Sequence, residues 1–293
     1  MNPPARFCLQ GYSVLSGLPG LLASYVQNCT WEGDNSVMAL QMARHLVKAM
    51  AAAQQGTRVD GQCAYYARHA GPHGAAPPAA PPASTAALLH ALERAAAALC
   101  TRALALLDRS PAGGPVTEGP AWDANTTVLI DAAYAHSRVV LAATFEAAVQ
   151  RIAVPEATRA VLAQLSQLFA AALVGAHAAP VLLETGYAET VPGLDSGAGA
   201  GAGGGRGAAF MGALRAARAA LEAALRRDAV RLVDAFGHDD YLLNSAIGRQ
   251  DGDVYRALFD AAQGSPLNET EEGPAWGPVL SKHIVNGKPR AKL

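Results

Sequence analysis

Apolar residues recur at every third or fourth position along most of this chain, and alanine is the commonest of them. This spacing is that of one face of an α-helix. Alanine favours helices, whereas the aromatic residues that favour strands make up only 6% of the sequence. The pattern predicts helices at about 36–53, 84–108, 123–151, 155–178, 208–236 and 253–263. The predicted fold is therefore all-α, a helical bundle.

The first predicted helix has the clearest apolar stripe. Asp34, Asn35 or Ser36 can cap it, because their side chains accept hydrogen bonds from the free N–H groups of a first turn. Its stripe is predicted to comprise Ala39, Met42, Ala43, Leu46, Met50 and Ala53. The later stripes are Leu88, Leu92, Leu99 and Leu106 in one helix and Phe210, Leu214, Ala217, Leu221, Leu225 and Leu232 in another.

Two low-complexity stretches interrupt the helical pattern. Residues 71–83 read GPHGAAPPAAPPA, a Pro/Ala linker that has no helical option. Residues 193–207 contain SGAGAGAGGGRG, which predicts a mobile loop. The glycines are not a phosphate-binding loop, because no Lys-Ser/Thr follows and no strand precedes them.

Charge and cysteine content argue against several classes of function. The formal net charge is −1, whereas nucleic-acid surfaces usually carry a basic excess, so no nucleic-acid partner is predicted. The four cysteines are widely spaced without a CxxC pair, which predicts reduced thiols and no metal site. Residues 7–31 carry no charge, but glycines and a proline break the stretch, so no membrane span is predicted there.

A lone carboxylate, Glu32, precedes the first strongly patterned helix and follows Trp31 directly. Two interpretations stay open from the residues alone. A glutamate close to a helix N-terminus is commonly favourable electrostatics and nothing more. An isolated carboxylate beside an aromatic ring is also a candidate general base.

Two blocks of sequence resemble the C-terminal half of peroxisomal acyl-CoA oxidases. Block 11–48 carries Glu-Gly-Asp-Asn-Ser-Val, followed by Leu-Gln-x-Ala-Arg on the helix. Block 230–268 carries Leu-Val-Asp-Ala-Phe, Gly-Arg-x-Asp-Gly-x-Val-Tyr and Ser-Pro-Leu-Asn. Between them, residues 84–190 match only in helical character. The resemblance implies helical domains like those at the C-terminus of acyl-CoA oxidases and dehydrogenases.

The resemblance also implies a chemistry and its residues. Enzymes of this family use FAD to desaturate acyl-CoA to trans-2-enoyl-CoA in fatty acid β-oxidation, and oxygen is reduced to hydrogen peroxide. Glu32 matches the base that removes the α-proton, while Gly33 would let the flavin ring approach and Asn35 would serve the cofactor or the helix cap. Trp31 and an acyl chain would exclude water and raise the pKa of the Glu32 carboxylate. The nearby helix N-terminus would act in the opposite direction, because it favours the anion.

By the same resemblance the chain divides into four segments. Residues 1–70 would be a remnant of the first C-terminal helical domain, 71–83 a linker, 84–268 the C-terminal helical bundle and 269–293 a tail. Most of the FAD and CoA site would lie on domains outside this sequence. The family implies a homodimer. The alternative is a non-catalytic helical interaction or dimerisation module derived from such an oxidase.

The last three residues resemble a targeting signal. Ala291, Lys292 and Leu293 match a Ser-Lys-Leu type signal, which a peroxisomal import receptor reads. The sequence therefore predicts a peroxisomal protein.

Overall fold

The structure, a computed structural model, describes residues 9–71, 74–110, 114–194, 205–264, 284–285 and 288–289. The fold is helical, which confirms the predicted class. The α-helices are α1 (Leu9–Tyr12), α2 (Leu18–Val26), α3 (Asn35–Gln54), α4 (Tyr66–His69), α5 (Thr85–Ala105), α6 (Pro120–Ala124), α7 (Thr126–Arg151), α8 (Glu156–Leu173), α9 (Ala179–Glu184), α10 (Tyr187–Thr190), α11 (Gly205–Leu225), α12 (Ala229–Asp234), α13 (Asp240–Leu243) and α14 (Val254–Gln263). Two short antiparallel strands, β1 (Ile284–Val285) and β2 (Lys288–Pro289), pair Ile284 with Pro289 and Val285 with Lys288.

The chain forms two compact units. The smaller unit comprises Met1–Trp31 and Val233–Leu293, and the larger unit comprises Glu32–Leu232. Within the larger unit, α3 packs against α5 and α7. The division at residues 71–83 stays a prediction about the domains of a complete family member.

Helix α3 begins where the sequence predicted. The Oδ1 atom of Asp34 accepts hydrogen bonds from the backbone N–H groups of Ser36, at 2.8 Å, and Val37, at 3.4 Å. Asp34 is therefore the cap, which decides among the three predicted candidates. Five of the six predicted stripe residues are buried, but Met42 is 38% exposed. The prediction was wrong for Met42, because this residue lies at the edge of the buried face.

The core of the larger unit lies between α3, α5, α7, α8 and α11. Helix α5 packs along α7, while α8 contacts both α7 and α11. Buried alanines on these helices allow close approach, and the larger buried side chains fill the remaining space. The largest of these apolar side chains are Tyr66, Leu46, Met50, Leu88, Leu104, Leu129 and Leu182.

Four predicted helices differ from the observed ones. The helix predicted at 123–151 is split at Asn125, whose Nδ2 atom donates to the carbonyl of Ala121 at 2.7 Å. The helix predicted at 208–236 begins earlier, at Gly205, and is broken by a 3₁₀ turn at Arg226–Asp228. The helix predicted at 84–108 ends at Ala105, so Leu106 lies beyond it and is exposed.

A π-helical turn, Val174–Ala178, joins α8 to α9 without a break. It closes with a hydrogen bond from the N–H of Ala179 to the carbonyl of Val174. Pro180 follows directly and has no N–H to donate, so the wider turn lies where an α-helix would lose a hydrogen bond. A helix was predicted to end near residue 178; the helical path instead continues to Glu184.

The low-complexity stretches are described in part. The described residues of 71–83 are not helical, as predicted. In the predicted glycine-rich loop 193–207, residues 195–204 lie outside the described residues, and residues 205–207 already belong to α11. The predicted targeting residues Ala291, Lys292 and Leu293 also lie outside them.

Two helical stretches are long and apolar enough to cross a membrane by length and composition. They are Thr126–Arg151 and Glu156–Glu184, and 39% and 44% of their most apolar windows are buried inside the protein. Core helices of a bundle meet the same criteria. The predicted absence of a membrane span stays a prediction.

Candidate active site

The turn ahead of α3 holds two of the three predicted site residues, Glu32 and Gly33, and the third, Asn35, begins the helix. Glu32 has a φ of 58° and Gly33 a φ of 118°, so two consecutive residues have left-handed backbones. For a residue with a Cβ this conformation costs about 1–2 kcal/mol. Strained non-glycine residues of this kind cluster at functional sites, so the strain makes Glu32 a candidate functional residue. The strain alone does not assign it a role.

Gly33 is explained by its local geometry. A Cβ added to Gly33 would lie 3.1 Å from the Sδ atom of Met38, on the first turn of α3. The left-handed φ and this short distance both favour glycine. The predicted reason, close approach of a flavin ring, is therefore not the only reason for a glycine here.

Asn35 is free for another task because Asp34 caps the helix. Asn35 occupies the first position of α3 and is exposed. Its side-chain amide makes no hydrogen bond with any of the described residues, so it can donate to or accept from a ligand.

The Glu32 carboxylate is exposed and forms neither an ion pair nor a hydrogen bond within the described part of the chain. It is thus available to take a proton from a bound molecule. The Trp31 side chain is 60% exposed, so the expectation that Trp31 and an acyl chain together exclude water from Glu32 stays a prediction. Any dry environment around Glu32 has to come from another surface.

Two polar clusters inside the larger unit were not predicted. Tyr65 and His136 are buried and joined by a hydrogen bond across 71 positions of sequence. In the second cluster, Glu93 accepts two hydrogen bonds from Arg68, at 2.7 and 2.8 Å, and lies 3.3 Å from Nε2 of the buried His69. The only signal in the sequence was the presence of polar residues beside an otherwise apolar stripe, which does not reveal their partners.

These clusters have shifted pKa values. Burial raises the pKa of Glu93, but hydrogen bonds from His69 and Arg68 outweigh burial and hold the pKa below its usual value. Burial and the neighbouring His69 lower the pKa of His90, whose Nδ1 lies 3.1 Å from the Tyr187 hydroxyl. Each of these titratable groups contacts another side chain of the bundle. Among the described residues no group of three or more His, Cys, Asp or Glu could hold a metal ion.

Comparison with known proteins matches this chain to acyl-CoA oxidases, both by family model and by individual relatives. The family model described as "Acyl-CoA oxidase" matches residues 84–285, and that described as "Acyl-CoA oxidase, C-alpha1 domain" matches residues 7–47. Peroxisomal acyl-coenzyme A oxidase 2 of Oryctolagus cuniculus is 33% identical over 276 residues, which are 91% of this chain and 37% of that protein. The chain therefore spans little more than a third of this relative.

Solved structures share the fold. Acyl-CoA oxidase 1 of Arabidopsis thaliana superposes with a TM-score of 0.75 at 28% identity, covering 94% of this chain and 39% of that one. Acyl-CoA oxidase-2 of Caenorhabditis elegans, solved with FAD, ascaroside-CoA and ATP, has a TM-score of 0.74 at 24% identity and covers 94% and 37% respectively.

Proposed function

Because the chain belongs to the acyl-CoA oxidase family, we propose that it works as the C-terminal part of an FAD-dependent acyl-CoA oxidase. The proposed reaction converts acyl-CoA to trans-2-enoyl-CoA in fatty acid β-oxidation and reduces oxygen to hydrogen peroxide. The single observation that carries the proposal is the turn at Glu32, which lies in the stretch matched as the C-alpha1 domain. There the backbone of Glu32 is strained and its carboxylate has no partner among the described residues.

Glu32 is the proposed general base. The α-carbon of a thioester is a weak acid, so its proton leaves only to a base held next to it. FAD, when bound, supplies the acceptor for the hydride from the β-carbon. Glu32 lies in the turn ahead of α3. Because its carboxylate has no partner among the described residues, both oxygens are available to accept the proton.

The residues around Glu32 fit a flavin contact in part. Gly33 exposes backbone without a side chain, and the Asn35 amide is unengaged within the described segments. Both are therefore suited to contact a planar ring with hydrogen-bonding edges. The remainder of the cofactor and CoA site would come from the two-thirds of a family member that this chain does not span.

The test uses a hybrid protein in which the part of the rabbit relative that precedes its match is fused ahead of residue 7. The expected hybrid is yellow and releases peroxide from acyl-CoA. Glu32→Gln should lower kcat by about 10²- to 10⁴-fold while the helical circular dichroism is retained. Glu118→Gln, at another exposed glutamate, should leave turnover unchanged. Full turnover by Glu32→Gln would overturn the assigned role.

A second candidate is a non-catalytic module that docks on an oxidase. The exposure of Trp31 favours it, because the candidate base is not enclosed by this chain. This candidate predicts a hybrid without flavin absorbance at any FAD concentration and without peroxide release. Bound flavin together with turnover would exclude it.

We further propose a peroxisomal location and an import receptor as partner. The support is the name of the relatives, which are peroxisomal oxidases, together with Ala291, Lys292 and Leu293. A fluorescent fusion with a free C-terminus should be punctate, and deletion of the three residues should leave it diffuse. The same location with and without them would contradict the signal.

The proposed assembly is a homodimer of the complete oxidase. Light scattering after gel filtration of the hybrid should give twice the mass of one polypeptide. A monomer at micromolar concentration would contradict it.

A further inference from the structure

Residues 74–83 form a proline-rich strap that lies against the larger unit. Four of its residues are proline and have no backbone N–H to donate. Its other backbone N–H groups donate, among the described residues, only within the same loop: Gly74 donates to the carbonyl of Gly71 at 3.1 Å, and Ala80 to that of Pro78 at 2.8 Å. Most residues of the strap are nevertheless half-buried. The strap is therefore held in place by contacts with side chains of the helices.

The strap contacts the helices at both of its ends. At the C-terminal end, Nε2 of Gln167 on α8 donates to the carbonyl of Ala83 at 2.7 Å. At the N-terminal end, Gly74 lies directly over α4 and α5. A Cβ added to Gly74 would lie 3.1 Å from Nδ1 of His69 and would clash with Nη1 of Arg94. The first contact involves no titratable group, whereas the second rests on a guanidinium and an imidazole.

His69 and His90 pack against each other at this N-terminal end. Their ring centroids are 5.0 Å apart in an edge-to-face arrangement. Nε2 of His69 lies 3.3 Å from the Glu93 carboxylate, and Nδ1 of His90 lies 3.1 Å from the Tyr187 hydroxyl. The other nitrogen of each ring is buried and makes no hydrogen bond with the described residues. Each ring therefore has one nitrogen that neither water nor the protein satisfies.

The surroundings of His90 are cationic. The charged and titratable groups that face it, within the described part of the chain, are Glu93 and Arg94 on α5, Arg68 and His69 on α4, and Tyr187 on α10. Burial holds the pKa of Tyr187 far above its usual value, so the phenol keeps its proton and donates to His90. Burial and His69 lower the pKa of His90, and Glu93 and the backbone of Ala75 on the strap offset this only in part.

We propose that protonation of His90 lifts the N-terminal end of the strap away from the helices, while the bond to Gln167 holds its C-terminal end. A protonated ring carries an N–H at its buried Nε2, and this charged donor needs water. Helices α4, α5 and α10 are fixed by their own backbone hydrogen bonds, whereas the strap near Gly74 is not, so the strap is the part that moves. This inference does not depend on the proposed function, because it concerns the larger unit alone.

The direction of the effect with pH follows from the two states of the strap. With the strap lifted, His90 is hydrated and has its ordinary pKa of 6.5, whereas with the strap closed its pKa is lower. Below pH 6.5 the lifted state therefore binds a proton that the closed state does not, so the closed state loses stability as the pH falls. One such group changes the equilibrium by at most about tenfold for each pH unit.

The first test is an NMR titration of the histidines in the chain of 293 residues. His73, which lies outside the described residues, is replaced by glutamine in every sample so that it cannot titrate. His90 should titrate below pH 6.5. Gly74→Ala, which pushes the strap away from Arg94, should raise the pKa of His90 toward 6.5, because strap and proton are coupled reciprocally. Gly56→Ala, at a similar left-handed φ with nothing near the added Cβ, should leave it unchanged.

The second test follows the strap itself by thiol labelling. Pro77→Cys places a thiol at a half-buried position near the end that lifts, and the exposed Cys29 is the internal reference for the effect of pH on the reaction. The ratio of the two labelling rates should rise by up to about tenfold from pH 7.5 to pH 5.5. His90→Gln, which can hydrogen-bond but cannot titrate, should keep the ratio constant. His238→Gln, at an exposed histidine, should leave the rise unchanged.

Three results would overturn the proposal. One is a pKa of His90 at or above 6.5, and another is a pKa that Gly74→Ala leaves unchanged while circular dichroism shows intact helices. The third is a labelling ratio that stays constant with pH or rises equally in the His90→Gln variant. If Gly74→Ala does not fold, Gln167→Ala, which releases the other end of the strap, replaces it in the titration with the same expected result.

Discussion

The phenolic oxygen of Tyr65 lies 3.0 Å from Nδ1 of His136 inside the larger unit, and both residues are buried. Burial holds the pKa of Tyr65 far above its usual value, so the phenol keeps its proton. The phenol therefore donates and Nδ1 accepts, which requires a neutral His136 with its proton on Nε2. The pair is a polar contact that depends on His136 staying neutral.

The first prediction concerns stability against pH. Burial, with the neighbouring His45, lowers the pKa of His136 from 6.5 to about 4. Between these values the unfolded chain binds a proton that the folded chain does not, so stability falls as the pH decreases through this window. The loss from this group approaches about 3 kcal/mol, at 1.36 kcal/mol for each unit. Urea unfolding at intervals from pH 7.5 to pH 4 measures it.

The control for this prediction is His136→Gln, which keeps a hydrogen-bond acceptor for Tyr65 but cannot titrate. The variant should be less stable than the wild type at pH 7.5 and should lose less stability on acidification. Parallel losses in both proteins would show that His136 does not carry the effect.

The second prediction compares two glutamates. Glu93→Gln should cost about 2 kcal/mol, because the carboxylate accepts charged hydrogen bonds from Arg68 in a partly buried site. Glu184→Gln should cost less than about 1 kcal/mol, because its ion pair with Arg102 is exposed on both sides. Chemical unfolding of both variants measures the difference, and equal costs would contradict it.

The third prediction compares two glycines. Gly33→Ala should destabilise the chain by about 1–2 kcal/mol, because alanine at this φ is strained and its Cβ approaches Met38. Gly212→Ala, in the interior of α11 with nothing near the added Cβ, should stabilise it by about 1 kcal/mol. Thermal unfolding should shift in opposite directions. A Gly33→Ala variant as stable as the wild type would contradict the prediction and show that the turn ahead of α3 adjusts to a Cβ without strain.

The fourth prediction concerns the cap of α3. Asp34→Ala should cost about 1 kcal/mol and speed exchange of the Ser36 and Val37 amides, whereas Asp34→Asn should be nearly neutral. Ser84→Ala removes the corresponding cap of α5 and should have a similar cost with no effect on the amides of α3. An Asp34→Asn variant as unstable as Asp34→Ala would assign the effect to charge and not to the hydrogen bonds.

Periodicity located the helices because their buried faces are continuous. For α3, spacing placed Ala43, Leu46 and Met50 in the core, since a helix of this length repeats its buried face several times. Met42 could not be placed correctly, because edge positions depend on how far the neighbouring helix extends. The sequence narrowed the candidates for the cap to three residues, and the hydrogen bonds accepted by the Asp34 side chain identify Asp34 as the cap.

Polar side chains and helix breaks were harder to predict. Tyr65 and His136 are distant in sequence, and nothing local shows that they meet. The 3₁₀ turn at Arg226–Asp228 interrupts a stretch with good helical spacing, where Asp228 pairs with Arg227 and Arg231. For the candidate site, the residues at the turn ahead of α3 could be predicted from the sequence, but the strained backbone of Glu32 and the exposure of Trp31 could not.

The π turn Val174–Ala178 makes the length of the chain there as important as its composition. Deleting one residue from it would remove the extra residue of the wider turn but rotate the helix that follows by about 100°. Leu182, which is fully buried, would then leave the core, and Tyr187 would be carried away from His90. We therefore expect related sequences to vary in the identity of the exposed residues of this turn and to conserve their number, so that insertions and deletions accumulate elsewhere.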